Sequence, residues 1–258
     1  MKKIILFIVA SFGVLLVSAQ EKPELVTDRP DQTEAPVLVP KGAIQVETGF
    51  QIETDRQKNI ETKNYTYNTT LLKYGVNEHF ELRLINEYLG TSTHVEGDTK
   101  TTKVSGLSPL ALGVKIKLAE EKGFWPQAAF IGHVNLVSGS TEYEPDYTAA
   151  DFRFTFAHTL SEKFSLSYNL GAEWDGETPD AAFLYTLSLG YRLNDRIGTF
   201  IEGYSFFPEH SKADNRVDAG VTFLITPLVQ WDISGGLGLS DNAPDGFVST
   251  GLSFRLFQ

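Results

Sequence analysis

The stretch FSLSYNLGAEW, Phe164 to Trp174, sets Phe164, Leu166, Tyr168, Leu170, Ala172 and Trp174 in strict alternation with Ser165, Ser167, Asn169, Gly171 and Glu173. A period of two is that of a β-strand with one apolar and one polar face. The same alternation recurs on both sides of it. Ile44, Val46, Phe50 and Ile52 interleave with Gln45, Glu47, Gly49, Gln51 and Glu53. Val217, Ala219, Val221, Phe223 and Ile225 interleave with Asp218, Gly220, Thr222 and Leu224. Val248, Leu252, Phe254 and Leu256 interleave with Ser249, Gly251, Ser253 and Arg255.

Twelve such segments follow, roughly 42–54, 64–75, 80–90, 106–118, 125–137, 148–159, 164–174, 182–193, 197–206, 216–225, 229–239 and 247–258, each of 10 to 13 residues. Strands of soluble domains peak near ~5–6 residues, whereas a tilted strand crossing a bilayer needs roughly 9–11. The connections alternate too. Those at 76–79, 119–124, 160–163, 194–196 and 226–228 hold 3 to 6 residues, and those at 55–63, 91–105, 138–147, 175–181, 207–215 and 240–246 hold 7 to 15. Short turns on one side and longer loops on the other are the habit of outer-membrane barrels. The pattern predicts an all-β fold, a closed antiparallel transmembrane β-barrel of about 12 strands, with 42–54 paired to 247–258. Closure is required because lipid offers no hydrogen bonds, and only a helix or a closed sheet satisfies its own backbone there.

Parity sends Ile44, Val46, Leu82, Leu84, Leu112, Val114, Phe154, Leu166, Leu187, Val221, Ile233 and Phe254 toward lipid. Aromatic residues gather at segment ends, with Tyr74, Phe80, Trp125, Phe164 and Tyr191 beside turns and Tyr88 and Trp174 beside loops. Rings that are apolar with a polar tip suit the two membrane interfaces. Segment 197–206 resists assignment, because Glu202 shares parity with Phe200, Tyr204 and Phe206.

The chain divides into three parts. Lys2 and Lys3, the apolar run Ile4 to Val17 and the small residues Ser18 and Ala19 read as a signal peptide over 1–20. Residues 21–41 form a Pro-rich periplasmic lead-in, with Pro23, Pro30, Pro36 and Pro40 excluding a helix. Residues 42–258 form the barrel. Export into the outer membrane of a Gram-negative bacterium is the expected destination, with outer-membrane lipid and barrel-assembly machinery as partners. Many outer-membrane barrels end on a lipid-facing aromatic residue. Here Phe257 is penultimate and Gln258 takes the lipid-facing parity, which weakens that assembly signal. The chain has no cysteine, so disulfides play no part. Without Lys2 and Lys3 it carries 20 basic residues (22 less two) against 33 acidic ones, a net charge near −13. Nucleic acid, which demands clustered Lys and Arg, is excluded as a partner.

Several motifs resemble one family. TDRPDQTEAP (Thr27 to Pro36), VPKGAIQVETGF (Val39 to Phe50), LLKYGVNEHFELRL (Leu71 to Leu84), SYNLGAEWDG (Ser167 to Gly176), DISGGLGLSDNAPDGF (Asp232 to Phe247) and GLSFR (Gly251 to Arg255) are similar to the outer-membrane proteins grouped as "putative MetA-pathway of phenol degradation". The resemblance spans nearly the whole mature chain. It implies an outer-membrane barrel associated with uptake of aromatic or hydrophobic compounds.

Chemistry in such a barrel belongs to the lumen. Parity points Glu47, Lys73, Glu81, Arg83, Glu87, Lys115, Lys117, Asp151, Arg153, Glu173, Arg192, Asp218, Asp232 and Arg255 inward. Across the turn near Asn77, Lys73 is expected to face Glu81 and Leu71 to face Arg83. The charges line a selective passage or form a salt-bridged plug in a narrow barrel. Asp28, Arg29 and Asp31 of the lead-in either tuck into the periplasmic mouth or belong to a disordered tether. In the tucked form Arg29 pairs with inward carboxylates, and Asp28 or Asp31 neutralises the surplus of Lys73 and Arg83 over Glu81.

Catalysis and cofactors are not expected. His79 falls in a turn, and His94 and His210 in long loops. His158 sits on the lipid-facing parity, and no serine follows His133 at a spacing suited to nucleophilic attack. The acidic runs Glu142–Asp146 and Asp241–Asp245 lack calcium-loop spacing and read as solvated loops, so no metal is expected. The leading expectation is an outer-membrane channel for passive uptake of small molecules, aromatic or hydrophobic permeants included. The alternative is a sealed structural or adhesive outer-membrane barrel without transport.

Overall fold

The computed structural model describes residues 23–256. The expected signal peptide at 1–20 and the terminal Phe257 and Gln258 lie outside the described residues. Thirteen strands are present: β1 (Ile44–Gln57), β2 (Ile60–Asn77), β3 (Phe80–Val95), β4 (Thr101–Leu107), β5 (Ala111–Ala119), β6 (Gln127–Asn135), β7 (Ala150–Thr159), β8 (Phe164–Trp174), β9 (Ala182–Arg192), β10 (Ile197–Pro208), β11 (Asp214–Thr226), β12 (Val229–Gly238) and β13 (Gly246–Leu256). Consecutive strands pair antiparallel, except that β4 and β5 both pair with β3 and not with each other, and β1 closes the ring on β13 from Ile44 opposite Leu256 to Thr54 opposite Gly246.

The wall has twelve strand positions because β4 and β5 share one. The expected single strand 106–118 is interrupted at Ser108, Pro109 and Leu110, where proline supplies no ladder N–H. The inner half of β3 pairs with β5 and its outer half with β4. The Ser108 N–H still donates to the Glu87 carbonyl at 2.9 Å, so the wall stays continuous.

The expected alternation of short turns and long loops fails at the first two loops. Residues 55–63 are not a loop. β1 and β2 continue through them to a two-residue turn at Lys58 and Asn59, with Lys58 in the left-handed region at φ 57°. Likewise 91–105 is mostly strand, with β3 running to Val95 and β4 resuming at Thr101.

Burial is inverted relative to a soluble domain. None of the twelve residues assigned to lipid is buried, and Leu187 is 50% exposed. The inner face is polar and closed to solvent: Gln45, Glu47, Glu81, Lys115, Asn169 and Asp232 are each 0% exposed. A sandwich would bury its apolar face, whereas a barrel solvated by lipid exposes it. Glu202 resolves strand β10. Glu202 and Tyr204 are buried at 1% and 3%, while Ile201 is 56% exposed, so the Glu202 parity faces inward.

Candidate functional site

Residues 23–43 do not hang clear of the barrel; they form a strap inside it. Arg255 Nη1 donates to the carbonyls of Pro23 and Glu24, both at 3.0 Å, and Gln45 Nε2 to that of Val26 at 2.8 Å. From this turn end the strap climbs to mid-barrel. There the Gln32 N–H donates to Glu202 at 2.7 Å, the Glu34 N–H to Asn169 at 2.8 Å, and Arg153 to the Gln32 carbonyl at 3.0 Å. The Thr33 hydroxyl lies against Glu202 and against Thr186 at 2.7 Å. The strap then descends, the Val39 N–H donating to Glu81 at 2.7 Å. Gly42 N–H donates to the Gly75 carbonyl at 2.7 Å before β1 begins. A Cβ on Gly75 would sit 2.2 Å from the Pro40 carbonyl oxygen, so glycine is needed for the two chains to cross.

The densest charge lies around Asp28. Lys73, Arg83 and Lys115 each donate to its carboxylate at 2.9 Å. Arg83 also reaches Glu34 at 2.7 Å and Glu81 at 3.2 Å, and Lys73 pairs with Glu47. The backbone N–H groups of Asp28 and Arg29 donate to Glu47 at 2.9 and 3.0 Å. Three wall cations thus face two wall carboxylates, and the strap supplies Asp28 and Glu34. Burial would raise the Asp28 carboxyl, but Lys115, Lys73 and Arg83 outweigh it and hold the group well below the usual carboxylate range. The expected facing of Lys73 with Glu81 is corrected. The turn falls at Glu78 and His79, with Asn77 opposite Phe80, and past a one-residue irregularity between Gly75 and Asn77 Lys73 lies opposite Arg83 and Leu71 opposite Ile85. Two cations side by side are tolerable because Asp28 lies between them.

Arg29 sits further round the wall, pairing with Asp232 at 2.9 Å and donating to Ser249 at 3.0 Å. Of the two lead-in acids offered as the neutralising group, Asp28 takes that place; Asp31 stays out of the Lys73–Arg83 cluster and accepts from Ser188 at 3.0 Å. Asp151 holds His133 Nδ1 at 3.0 Å, and His133 Nε2 accepts from Arg83 at 3.0 Å. Both ring nitrogens are committed to wall neighbours. Asp218 is 3% exposed, and neither of its carboxylate oxygens has a hydrogen-bond partner among the described residues.

Several interior residues were not singled out by sequence. Glu34, Asn169 and Thr186 carry the strap's tip, and polar residues on alternating parity give no hint of which one binds it. Tyr204 and Phe206 meet edge to face at 6.0 Å, with the Arg216 guanidinium 6.0 and 5.9 Å from their ring centres. Two cavities flank the strap. One of about 540 Å³ at the turn end touches Val26, Pro30, Ser167 and Ile197, and one of about 360 Å³ at the loop end touches Gln32, Glu173, Tyr204, Phe206 and Arg216.

A family model described as "Putative MetA-pathway of phenol degradation" matches residues 27–256. An outer membrane channel from Pseudomonas putida F1 superposes with a TM-score of 0.66 at 12% identity, over 85% of this chain and 97% of that one. The translocator domain of the autotransporter NalP from Neisseria meningitidis gives 0.54 at 11% identity, over 84% and 90%. The NanC porin gives 0.52 at 10%, over 83% and 100%. At such identities the likeness is one of fold. Among curated proteins, none matches the chain in sequence.

Proposed function

The chain belongs to the family described as "putative MetA-pathway of phenol degradation", and from that premise we propose that it is an outer-membrane channel for passive uptake of small molecules, aromatic and hydrophobic compounds among them, with the interior strap as its gate. Residues 1–20 direct export, the turn end faces the periplasm and the loop end faces outward. The observation that carries this is the arrangement of two cavities separated by a strap fastened through hydrogen bonds and ion pairs. A net hydrogen bond contributes only ~0.5–1.5 kcal/mol, since water replaces it on release. A polar strap can therefore let go step by step where an apolar plug would not. The loop-end cavity is lined by Phe206 and by Arg216, whose guanidinium is shared with Glu53 and Asp214, a mixed apolar and charged surface suited to a small aromatic solute.

A second reading, a sealed structural or adhesive barrel, is favoured by the filled cross-section at the level of Asp28, where every wall charge finds a partner. Permeability separates the two. Purified protein in liposomes is presented with a panel of solutes from small ions through sugars to phenolic compounds, alongside Asp28→Asn. The channel reading expects passage of small aromatic solutes, and faster passage in Asp28→Asn. Impermeability of both proteins to the whole panel would establish the sealed barrel.

A further inference from the structure

The strap's base and tip sit in opposite electrostatic surroundings. Asp28, near the turn end, lies among Lys73, Arg83 and Lys115. Asp31, three residues on, lies among acids. It faces Ser188 on β9, Glu202 on β10 and Asp218 on β11, with Glu202 directly opposite Asp218 in the ladder. The cations nearby are engaged elsewhere: Arg29 with Asp232, Arg153 with the Gln32 carbonyl, and Arg216 with Glu53 at 2.7 Å and with Asp214. Of the three acids, Glu202 accepts from Gln32 and Thr33, Asp31 accepts from Ser188, and Asp218 accepts from nothing among the described residues. The wall hydroxyl of Ser234 on the adjacent β12 is likewise buried without a partner.

The buried Glu202 and Asp218 and the half-buried Asp31, crowded together without a cation, cannot all stay ionised, because uncompensated buried charge is too costly. Positive charge must come from a metal ion or from protons. The three do not converge as ligands of one ion. Among the described residues, the one grouping whose donors lie within 4.8 Å of one another is Asp180, Glu209 and His210, out on the loops. Two carboxylates facing each other across a ladder can bond only if one of them keeps its proton, as in paired catalytic acids.

We propose that Asp31, Glu202 and Asp218 form a proton-holding latch that fastens the tip of the strap to β10 and β11 and releases it when the cluster deprotonates. The inference rests on the strap being displaceable, as the channel reading requires. Its direction follows from linkage. Burial, and then the charge of Glu202, push the Asp31 carboxyl well above its ordinary value. The seated tip therefore binds more protons than the released one. Seating is fully favoured below the ordinary carboxylate range, about pH 4, and weakens as pH rises through the seated value. The base of the strap behaves oppositely, since Asp28 stays ionised and held until strongly acid pH. Rising pH thus frees the tip while the base remains tethered.

The chain has no cysteine, so Gln32→Cys gives a unique site at the tip, its side chain beside the loop-end cavity. A nitroxide attached there in the otherwise intact protein, in liposomes, reports strap mobility by electron paramagnetic resonance without reference to conduction. The latch expects a mobile spectral component that grows at least ~10-fold as pH is raised from about 4 to 9, corresponding to ~1.4 kcal/mol. Adding Asp218→Asn, which cannot ionise, should move that transition to higher pH or abolish it, and Asp31→Asn should do the same. Mobility that does not depend on pH, or identical titrations with and without Asp218→Asn, would overturn the latch. A pH-dependent tip in a barrel that conducts nothing would leave the latch standing and remove the channel.

Discussion

Arg29 reaches Asp232 by lying across two glycines that face each other between β1 and β13, Gly49 and Gly251. A Cβ on Gly49 would meet the guanidinium carbon at 2.4 Å, and one on Gly251 would meet Nε at 2.2 Å. The slot exists because both positions lack a side chain on the inner face. Gly251→Ala is therefore expected to displace Arg29 and leave the buried Asp232 carboxylate unpaired. Breaking a buried pair costs up to ~3–5 kcal/mol, and a loss of even ~1.4 kcal/mol from strap seating raises its open fraction tenfold. Deuterium uptake over residues 23–40 should accelerate by at least that factor; unchanged uptake would show that Arg29 does not anchor the strap. A tucked lead-in pairs Arg29 with inward carboxylates, but its sequence does not choose among them. The choice depends on where the strap crosses the lumen, and the glycines that decide it carry no hydrophobic signal. The same crossing separates Asp28 from Asp31, between which sequence order alone does not choose.

Strands were legible where one face meets lipid and the other does not. In β8, β9 and β13 the alternation is strict, and the observed bounds match the expected ones to within a residue or two. It failed where both faces are polar. The outer parts of β1 and β2 run through Asp55, Arg56, Glu61, Thr62 and Lys63, and a ribbon with two polar faces reads as a loop. It also failed at Pro109, where an apolar run continued across a break in the ladder, and at the irregular register beside Gly75, which no count of residues reveals. The faces themselves can be tested on β9. Leu187 points outward near the middle of its strand, between the buried Thr186 and Ser188. Leu187→Arg in a bilayer should lower folding stability by ~2–4 kcal/mol, the midplane penalty for a cation facing lipid, measured by denaturant titration in liposomes. A neutral effect would mean that this face does not meet hydrocarbon.

On the scale of the whole molecule, two things stabilise the barrel independently. Backbone pairing closes the wall from β1 to β13 without help from the strap. The strap balances the charges that the wall turns inward. Sequence parity carried the wall, because alternation is a local property repeated along the chain and closure follows from the need to pair both sheet edges in lipid. It left open whether the lumen was lined or plugged, because a polar inner face serves both. Removing residues 23–40 separates the two contributions. The ring should still form, since no ladder hydrogen bond of β1 to β13 involves those residues. It should be less stable by several kcal/mol, because Lys73, Arg83 and Lys115 then face only Glu47 and Glu81, and a buried charge that loses its partner is strongly destabilising. Water admitted by the vacated space would offset part of that loss. The expected outcome is a barrel that still migrates as a folded species, melts earlier than the intact protein, and conducts ions in planar bilayers well above the intact level. A truncated barrel that folds, with conductance no higher than that of the intact protein, would mean that the wall itself closes the lumen and that the strap is not its gate.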